Sequence, residues 1–570
     1  MLSITEPNMD PEASRTTFPP TTPPGPMTTG HLAQAAAALA WIPQAALLAS
    51  AVQRLADGGG FDEVTVPALA FLLLGLARAS LEAWGARRVF ACARRHLAGL
   101  RTQAVAALAR RSPLDRARPA SGAAASALAE QAEAVLPWLL RYQGACCKLM
   151  LVPPLIAVVV ATRSWVAALI LVLSAPLVPL FMIVIGWRAK AASECQLQLV
   201  GGMNGFLLDR LRGLSTLRAL GAVDLTARRL RETAQALRNG TMRVLRIAFL
   251  SSTALELFAA LAVALVAVYV GFHLLGELPG GAWGGKLTLG EGLFILLLAP
   301  AFFEPLRELS AAWHDKAAGA AAGAALGHLR EGGMAMPGAL GDGAAAALAA
   351  AAAPRVDIAG LCFAHDGEAP LFEDDSLTIA PGEHVALVGP SGSGKSTLLA
   401  LIAGLVAPDA GSVRIDGQVL DEDSAAALRA RMAWIGQAPH VFPGTVRRNV
   451  ALDRPGVDAA AVAAAVRRSG LGRVRHAAPD QRLGEGGAGL SGGELVRLAL
   501  ARAIAARGAG LLLADEPTAH LDRATASCVI DSLLALSHGR TLVVATHDPA
   551  LAARIGRVIT IGRGALREAA

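Results

Sequence analysis

Charged side chains are scarce in this chain. Asp, Glu, Lys and Arg make up 17% of its 570 residues, whereas hydrophobic residues make up 54%. That balance is unusual for a soluble protein, and the length exceeds that of a single typical domain. Because the apolar excess lies before residue 310, the composition predicts a membrane domain followed by a more polar domain.

Cysteine is also sparse, and the six cysteines lack any spacing typical of a metal site. Cys362 and Cys528 are expected to be reduced in a cytosolic domain. The adjacent pair Cys146 and Cys147 is open to two interpretations, two small packing residues or a thiol-handling site. Residues 1–30 are rich in Pro and Thr and lack a basic segment followed by an apolar one. We therefore expect a disordered tail there and not a cleaved signal peptide.

Six apolar stretches are each long enough to cross a hydrocarbon core of about 30 Å. They cover about residues 31–53, 64–86, 136–161, 165–187, 247–273 and 287–309. The first is alanine-rich and contains Pro43. The sequence thus predicts an all-α transmembrane domain of six helices over residues 31–316.

Basic residues are concentrated between the second and third stretches and between the fourth and fifth. These two segments carry Arg87, Arg88, Arg94, Arg95, Arg101, Arg110, Arg111, Arg210, Arg212, Arg218, Arg228, Arg229 and Arg231. By the positive-inside rule, both segments and both termini are cytoplasmic. The net charge of +7 is explained by these segments, so the expected partner is the lipid bilayer, with no nucleic acid.

The two basic segments are too long for loops and too charged for the membrane. We expect two long helical extensions into the cytoplasm, with turns at Ser112–Asp115 and near Gly213–Gly221. Residues 317–353 are almost wholly Ala and Gly, which predicts the end of the sixth helix and then a linker. Residues 354–570 form the second predicted domain.

The first functional motif of this second domain is a phosphate-binding loop. It fits the pattern G-x-x-x-x-G-K-[S/T] between a buried strand and a helix, so its backbone N–H groups and helix dipole favour a phosphate. Lys395 would reach the β- and γ-phosphates of ATP, and Ser396 would ligate Mg²⁺. The loop consists of Gly389, Pro390, Ser391, Gly392, Ser393, Gly394, Lys395, Ser396 and Thr397.

Two later strands each end in residues suited to ATP hydrolysis. The apolar run Leu511–Ala514 ends in Asp515 and Glu516, of which Asp515 would hold Mg²⁺ and Glu516 would orient or deprotonate the attacking water. His547 follows the apolar run Thr541–Ala545 and would contact the γ-phosphate. Strand ends meet at one edge of a parallel sheet, which is where nucleotides bind. The fold class expected here is an α/β phosphate-loop ATPase.

A short string ahead of Asp515 resembles one superfamily, the ATP-binding cassette (ABC) proteins. The string is Leu490, Ser491, Gly492, Gly493 and Glu494, the last standing where the family usually has Gln. The resemblance assigns Gln437 to the loop that touches Mg²⁺, Asp522 to a loop at the dimer interface, and Gly484–Gly486 to a segment that senses the partner. It also assigns His365 to the position of the Tyr that usually stacks on adenine, which implies a weaker adenine contact.

In the ABC family two cassettes close head to tail, and each ATP lies between one phosphate loop and the other cassette's signature. The chain carries one such cassette, so the resemblance implies that it works with a second half-transporter. It also implies the fold order of an exporter, with turns of the membrane domain that couple to the cassettes. Differences at Glu494 and His365 suggest that this chain's ATP site and its partner's are not equivalent.

Charged residues within the apolar stretches mark candidates for a substrate path. They are Arg141, Lys148, Glu256 and Arg307, with Glu304 spaced to pair with Arg307. The alternative is that these helices extend below the bilayer and the charges are simply solvated. Pro153 and Pro154 would loosen the third helix and open room for a cavity.

The membrane stretches carry a narrower resemblance, to the CydD-type subunits of bacterial thiol exporters. It rests on Ser174–Gly186, Phe206–Arg218, Phe302–Leu309 and Ala312–Asp315. The family implies an inner-membrane heterodimer with a CydC-type partner that exports cysteine and glutathione to the periplasm in support of cytochrome bd assembly. Because glutathione is anionic, Arg141, Lys148 and Arg307 become expected contacts. Lipid, peptide or haem export and an ATP-gated regulatory role remain as alternatives.

Overall fold

The structure is a computed structural model in which the chain divides into two compact units, described here separately. The helical unit comprises Met1–Thr102 and Gly122–Gly327, and the sheet unit comprises Gln103–Ser121 and His328–Ala570. The description covers the chain except residues 1–24, 120, 178–179, 181–198, 200–202, 204–205, 208–209, 211–212, 279, 284, 340, 342–351, 366, 455, 474–477, 485–489, 507, 563–564 and 569–570.

The described part of the helical unit is built from α-helices. They are α1 Gly25–Leu39, α2 Trp41–Ala56, α3 Asp62–Arg110, α4 Ser121–Ala129, α5 Val135–Pro137, α6 Gln143–Ala161, α7 Trp165–Ser174, α8 Leu214–Ala219, α9 Val223–Leu275 and α10 Leu289–Arg330. Within the described residues, five stretches are long and apolar enough to cross a membrane: Thr28–Ala56, Asp62–Arg110, Ser121–Ala161, Glu256–Leu275 and Leu289–Arg330. A shorter apolar helix covers Trp165–Ser174, and the predicted fourth span continues into residues outside the described part.

The first span differs from its prediction in two ways. Its helix begins at Gly25, so residues 25–30, which we expected in a disordered tail, are helical. It is also divided into α1 and α2 at Ala40. Pro43 explains the division, because proline has no N–H to donate to the carbonyl four residues earlier, that of Leu39.

The third span starts earlier than predicted and is irregular. Ahead of α6 the chain forms a 3₁₀ turn at Gln131–Ala134 and a π-helical turn at Trp138–Tyr142. A π turn widens the helix by one residue, and such turns are frequent at functional sites. Arg141 lies in this turn.

Large apolar side chains fill the centre of the helical unit. Phe303, Ile156 and Leu171 are fully buried there. A few hydrogen bonds join distant segments: Ser164 Oγ lies 2.9 Å from the Tyr269 hydroxyl and donates to the Gly281 carbonyl at 2.7 Å. Such bonds satisfy buried polar groups and stabilise one relative position of the segments that they join.

The sheet unit alternates strands and helices. The strands are β1 Val356–Phe363, β2 Phe372–Ile379, β3 His384–Val388, β4 Ala410–Ile415, β5 Gln418–Val419, β6 Met432–Ile435, β7 Gly444–Thr445, β8 Arg482–Leu483, β9 Leu511–Asp515, β10 Thr541–Ala545, β11 Arg557–Gly562 and β12 Ala565–Glu568. The helices are α11 Lys395–Ile402, α12 Ala425–Ala430, α13 Val446–Ala451, α14 Ala459–Arg468, α15 Gly492–Ala505, α16 Arg523–Ser537 and α17 Pro549–Ala552.

A six-stranded sheet forms the centre of this unit. Its order is β12-β11-β3-β10-β9-β6, and every pair except β11 with β12 is parallel. Strands β9 and β10 are buried at every position, as expected for parallel strands covered on both faces. The carboxyl ends of β3, β9 and β10 therefore meet at one edge, which positions the loops that follow them.

Two smaller sheets complete the unit. A four-stranded antiparallel sheet has the order β2-β1-β4-β5, and β7 pairs with β8. The turn predicted at Ser112–Asp115 is present, with the Asp115 amide donating to the Ser112 carbonyl at 3.2 Å. This segment belongs to the sheet unit, because the Ser112 amide donates to the Met334 carbonyl at 2.8 Å and Arg116 pairs with Glu368.

Candidate active site and membrane cavity

The predicted phosphate loop connects β3 to the N-terminus of α11. Gly392 and Gly394 have φ values of 79° and 97°, a conformation that favours glycine. A Cβ on Gly389 would lie 2.4 Å from the Ile561 carbonyl oxygen, so this position also requires glycine. The Lys395 ammonium donates to the Gly389 and Pro390 carbonyls at 2.9 Å each, which holds it across the mouth of the loop.

Ser396 and Asp515, predicted from separate motifs, are in direct contact. Ser396 Oγ donates to Asp515 Oδ1 at 3.0 Å, and Asp515 is 7% exposed. Burial raises the pKa of the Asp515 carboxyl above its ordinary value, while the hydrogen bond from Ser396 opposes that shift. A hydroxyl beside a desolvated carboxylate is a donor set that suits a hard divalent cation.

Glu516 is the point where three separate segments converge. Gln437 Nε2 donates to Glu516 Oε2 at 3.3 Å, and His547 Nδ1 lies 3.2 Å from the same oxygen. The Glu516 backbone has a φ of 45°, and its amide donates to the Ala545 carbonyl at 2.8 Å. A left-handed non-glycine residue is strained, and such strain is concentrated at functional sites.

The signature string begins α15. Ser491 is the N-cap of this helix, and Glu494 completes a capping box in which Glu494 Oε2 accepts from the Ser491 amide at 2.7 Å. A carboxylate is favoured in the first turn because it faces the positive end of the helix dipole. The departure from the family's usual Gln is therefore accommodated locally. Gly493 is required by packing, since a Cβ there would lie 2.6 Å from Thr525 Cγ2.

The remaining predicted residues lie next to or within other strands and helices of the sheet unit. His365 follows β1, and its ring is edge-on to Phe363 at 5.2 Å. Asp522 caps α16 by accepting from the Thr525 amide at 3.0 Å, and hydrogen bonds from Thr525 lower the pKa of its carboxyl. Ser393 Oγ is buried and has no hydrogen-bond partner within the described residues. The other loop and signature positions are Ser391, Thr397, Leu490 and Gly492, and residues 485–486 of the segment predicted to sense the partner lie outside the described part.

Arg502 is a residue that the motif search missed. It lies on the signature helix α15 and donates to the Asn449 carbonyl at 2.8 Å, to Asn449 Oδ1 at 2.9 Å and to the His440 carbonyl at 2.7 Å. These bonds tie the signature helix to the segment that follows Gln437. The sequence signal for it was a single arginine within the apolar run of residues 498–505.

The helical unit contains a cavity of about 300 Å³ around Lys148. Its charged lining consists of Arg78, Lys148, Glu304 and Glu308, and its walls include Trp41 and Val152. Two further cavities of about 350 and 310 Å³ share Lys148 and Glu308 with it. Arg141 lines one of these, whereas Glu256 and Arg307 line none of the three.

The predicted basic contacts are each paired with a carboxylate. Lys148 Nζ lies 3.1 Å from Glu308 Oε1, and Arg141 Nη1 lies 3.9 Å from Asp315 Oδ2. Arg307 pairs with Glu256 at 3.1 Å and with Glu304 at 3.7 Å. The pairing of Arg307 with Glu304 agrees with their predicted spacing, and the assignment of Arg141, Lys148 and Arg307 as contacts of an anionic substrate stays a prediction. The acids come from other helices or, for Glu304, from the preceding turn of the same helix, and a low-dielectric surrounding favours pairing them.

Two family descriptions match the chain, and they match its two halves. The description "ABC transporter transmembrane region" matches residues 27–306, and "ABC transporter" matches residues 372–519. The chain is also 35% identical over 474 residues to the glutathione/L-cysteine transport system ATP-binding/permease protein CydD of Escherichia coli K12, covering 80% of each. The chain belongs to the ABC transporter family.

Other relatives of this ABC transporter carry related names. CydD of Haemophilus influenzae is 35% identical and is matched over 75% of this chain and 72% of its own length. The glutathione/L-cysteine transport protein CydC of Bacillus subtilis is 29% identical over 91% of each chain. A solved bacterial Atm1-family ABC exporter with ATP bound has a TM-score of 0.73 at 23% identity, covering 95% of this chain and 93% of its own.

These comparisons confirm the predicted fold class. The ABC transporter has the exporter fold, with a helical transmembrane domain followed by an ATPase domain built on a β-sheet. It binds nucleotide and is an ATP-hydrolysing membrane transporter.

Proposed function

We propose that the chain is one half of an ATP-driven exporter that moves cysteine or glutathione from the cytoplasm to the periplasm, in support of cytochrome bd assembly. Relatives named for glutathione and L-cysteine transport align with it over most of their length, which supports this cargo. The convergence of Gln437 and His547 on Glu516 carries the hydrolytic part of the proposal.

Mg²⁺ fits the pair formed by Ser396 and Asp515, and we assign it there with Gln437 as a further ligand. The cation would neutralise the buried Asp515 carboxylate and the ATP phosphates. Within this assignment, Lys395 and the loop amides bind the β- and γ-phosphates, Glu516 orients or deprotonates the attacking water, and His547 contacts the γ-phosphate. His365 stacks on adenine.

A second half-transporter, of CydC type, completes the ATP sites in this proposal. The first turn of α15 has backbone N–H groups at Gly492 and Gly493 that a helix N-terminus offers to an anion. In an ABC dimer that anion is the γ-phosphate held by the partner, and Asp522 lies at the interface. Relatives of both CydD and CydC type align with the chain, which supports a mixed pair.

The proposed location is the bacterial inner membrane, with both termini and the ATPase domain in the cytoplasm. The distribution of arginines supports this orientation, because the segments that follow the second and fourth spans carry most of the basic residues that precede residue 310. It also puts the ATPase domain in the compartment that supplies ATP.

Transport into inverted membrane vesicles tests the proposal directly. Vesicles from cells that produce the chain with its partner half should accumulate labelled cysteine or glutathione when ATP is added. Lys395→Ala should abolish accumulation because the phosphates lose their main cationic contact. Lys286→Ala, which removes a lysine between α9 and α10, is the matched control and should transport normally.

Three other outcomes would each contradict one part of the proposal. ATP hydrolysis without thiol uptake would overturn the cargo and favour lipid, peptide or haem export. Uptake that stops at the outside concentration would favour an ATP-gated role. Equal uptake by Lys395→Ala and Lys286→Ala would contradict coupling to this ATP site.

A further inference from the structure

The cavity around Lys148 has a balanced and divided set of charges. Two basic side chains, Arg78 and Lys148, and two acidic ones, Glu304 and Glu308, line it. A net-neutral cavity with separate positive and negative groups is complementary to a dipolar ligand and not to an anion. Its volume of about 300 Å³ lies at the small end of known ligand pockets.

Arg78 is the basic group of this set with no carboxylate partner within the described residues. Its guanidinium lies 5.5 Å from the Trp41 ring centre and donates to Gln44 Oε1 at 3.3 Å. Gln44 is itself buried and donates to the Phe71 carbonyl at 3.4 Å. The guanidinium is therefore held by neutral contacts, and most of its five N–H donors remain for a ligand.

The two acids differ in how strongly they are engaged. Glu308 accepts a hydrogen bond from Lys148 at 3.1 Å, so that pair satisfies its own charges. Among the described residues, Glu304 has one ion-pair contact, with Arg307 at 3.7 Å, and its side chain is 59% exposed. Arg78 and Glu304 thus form a positive and a negative group that are each under-satisfied and line one cavity.

The charged residues also share a depth in the helical unit. Arg78 lies sixteen residues after the start of α3, Glu304 fifteen after the start of α10, and Lys148 thirteen before the end of α6. At about 1.5 Å per residue these are depths of roughly 24, 22 and 20 Å. The three helix ends lie together. Arg163, which follows α6, pairs with Glu291 near the start of α10. The end of α2 links α10 to α3, because Gln53 accepts a hydrogen bond from the Gly290 amide and Arg54 donates one to the Glu63 carbonyl.

We propose that this cavity binds the α-amino-acid group of the transported molecule, with Arg78 receiving its carboxylate and Glu304 its ammonium. The proposal rests on the proposed function and names its recognition element. Cysteine carries this zwitterion, and glutathione carries it on its γ-glutamyl residue. One site of this kind therefore accepts both thiols without recognising sulfur.

Uptake of labelled L-cysteine into inverted vesicles that contain the chain and its partner half tests the site. Arg78→Gln should raise the KM for cysteine by about ten- to a hundredfold, because a charge-assisted contact to the carboxylate is lost. L-Cysteine methyl ester lacks the carboxylate, so it should compete only weakly against labelled cysteine for uptake by the wild-type protein. Its competition should be equally weak with Arg78→Gln. Glu304→Gln should raise the KM for cysteine and leave the weak competition by N-acetyl-L-cysteine unchanged.

Two matched variants separate recognition from general damage. Arg88→Gln removes an arginine of the same helix that stacks on Trp84 at 5.2 Å, and Glu291→Gln removes a paired acid of α10 outside the cavity. Both should keep a wild-type KM and a wild-type rate of basal ATP hydrolysis. Equal KM changes in Arg78→Gln and Arg88→Gln, or methyl ester competing as well as cysteine, would overturn the site.

Failure of the thiol proposal gives a different pattern. If wild-type vesicles take up neither cysteine nor glutathione, the export proposal falls and the cavity is tested by ATP hydrolysis with other amino acids. Stimulation by L-serine or L-alanine that is lost in Arg78→Gln and kept in Arg88→Gln would support the zwitterion site. Absence of stimulation by any amino acid would refute it.

Discussion

The two units of this transporter place their charged residues by different means. In the sheet unit, each charged group of the candidate site follows directly from the backbone: Lys395 begins α11, Asp515 ends β9, and Glu494 lies in the first turn of α15. In the helical unit, the Lys148–Glu308 pair joins residues 160 positions apart. Local motifs reveal the first kind of site, whereas helix packing creates the second.

This difference teaches where a change should matter most. A parallel sheet brings its strand ends to one edge whatever lies around it, so the ATP site depends on a few irreplaceable groups. The membrane cavity instead depends on charges that distant helices bring together, so we expect single substitutions there to change affinity and not to abolish transport.

The largest expected effect comes from Glu516. Glu516→Gln should lower steady-state ATP hydrolysis by about a hundred- to a ten-thousandfold, since it removes the proposed general base. Nucleotide binding should be retained, because the phosphate loop is untouched. Turnover by the purified pair and binding of a fluorescent ATP analogue measure the two properties.

Glu373→Gln is the matched control for this change. Glu373 is an exposed residue of β2, and its variant should hydrolyse ATP normally. Unchanged turnover in Glu516→Gln, measured with the partner's own site also inactivated, would remove Glu516 from the role assigned to it.

A substitution at Gly493 tests whether this signature position requires glycine for packing or for contact with the nucleotide. Gly493→Ala puts a methyl group against Thr525 and should cost about 1–3 kcal/mol of stability, with a roughly tenfold loss of ATP turnover. Thermal unfolding in detergent and ATPase assays report both. Thr525→Ser removes the clashing methyl group, so the double variant should recover most of the loss; a double variant no better than the single one would argue against a steric cause.

Ser164 probes the helical unit. Ser164→Ala removes the bonds to Tyr269 and Gly281 and a cap on the Ala167 amide, which should lower the free energy of unfolding by about 1–2 kcal/mol. The melting temperature in detergent measures this change. Ser174→Ala, whose hydroxyl bonds only within its own segment, is the comparison, and an equal loss there would contradict a specific role for Ser164.

The smallest effect is expected at Glu494. Glu494→Gln keeps the shape of the capping box and removes one negative charge from a helix N-terminus. The interaction of such a charge with the helix dipole contributes about 0.3–1 kcal/mol. The KM for ATP should fall by no more than about threefold, because repulsion of the partner's nucleotide is relieved. Glu373→Gln again serves as the control, and a tenfold or larger change would mean that Glu494 contacts the nucleotide itself.

The division into a membrane domain and an ATPase domain could be predicted from hydropathy and ordered motifs. Element bounds were less accurate. Pro43 was visible as a helix-breaking residue, yet only the structure shows α1 and α2 as separate helices and α1 beginning at Gly25. The π turn at Trp138–Tyr142 has no periodic sequence signal, because it depends on how neighbouring helices pack.

The sequence by itself determined the ATP site, since glycines with positive φ, a helix start and strand ends are local properties of the chain. Lys395, Gln437, Glu516 and His547 each follow a strand of the parallel part of the six-stranded sheet, so the sheet by itself brings them to one edge. The tertiary structure decided the partners in the membrane. Arg78 was not among the predicted path residues, and the pairing of Lys148 with Glu308 was not predicted, because contacts between distant helices are set by three-dimensional packing and leave no mark in sequence spacing.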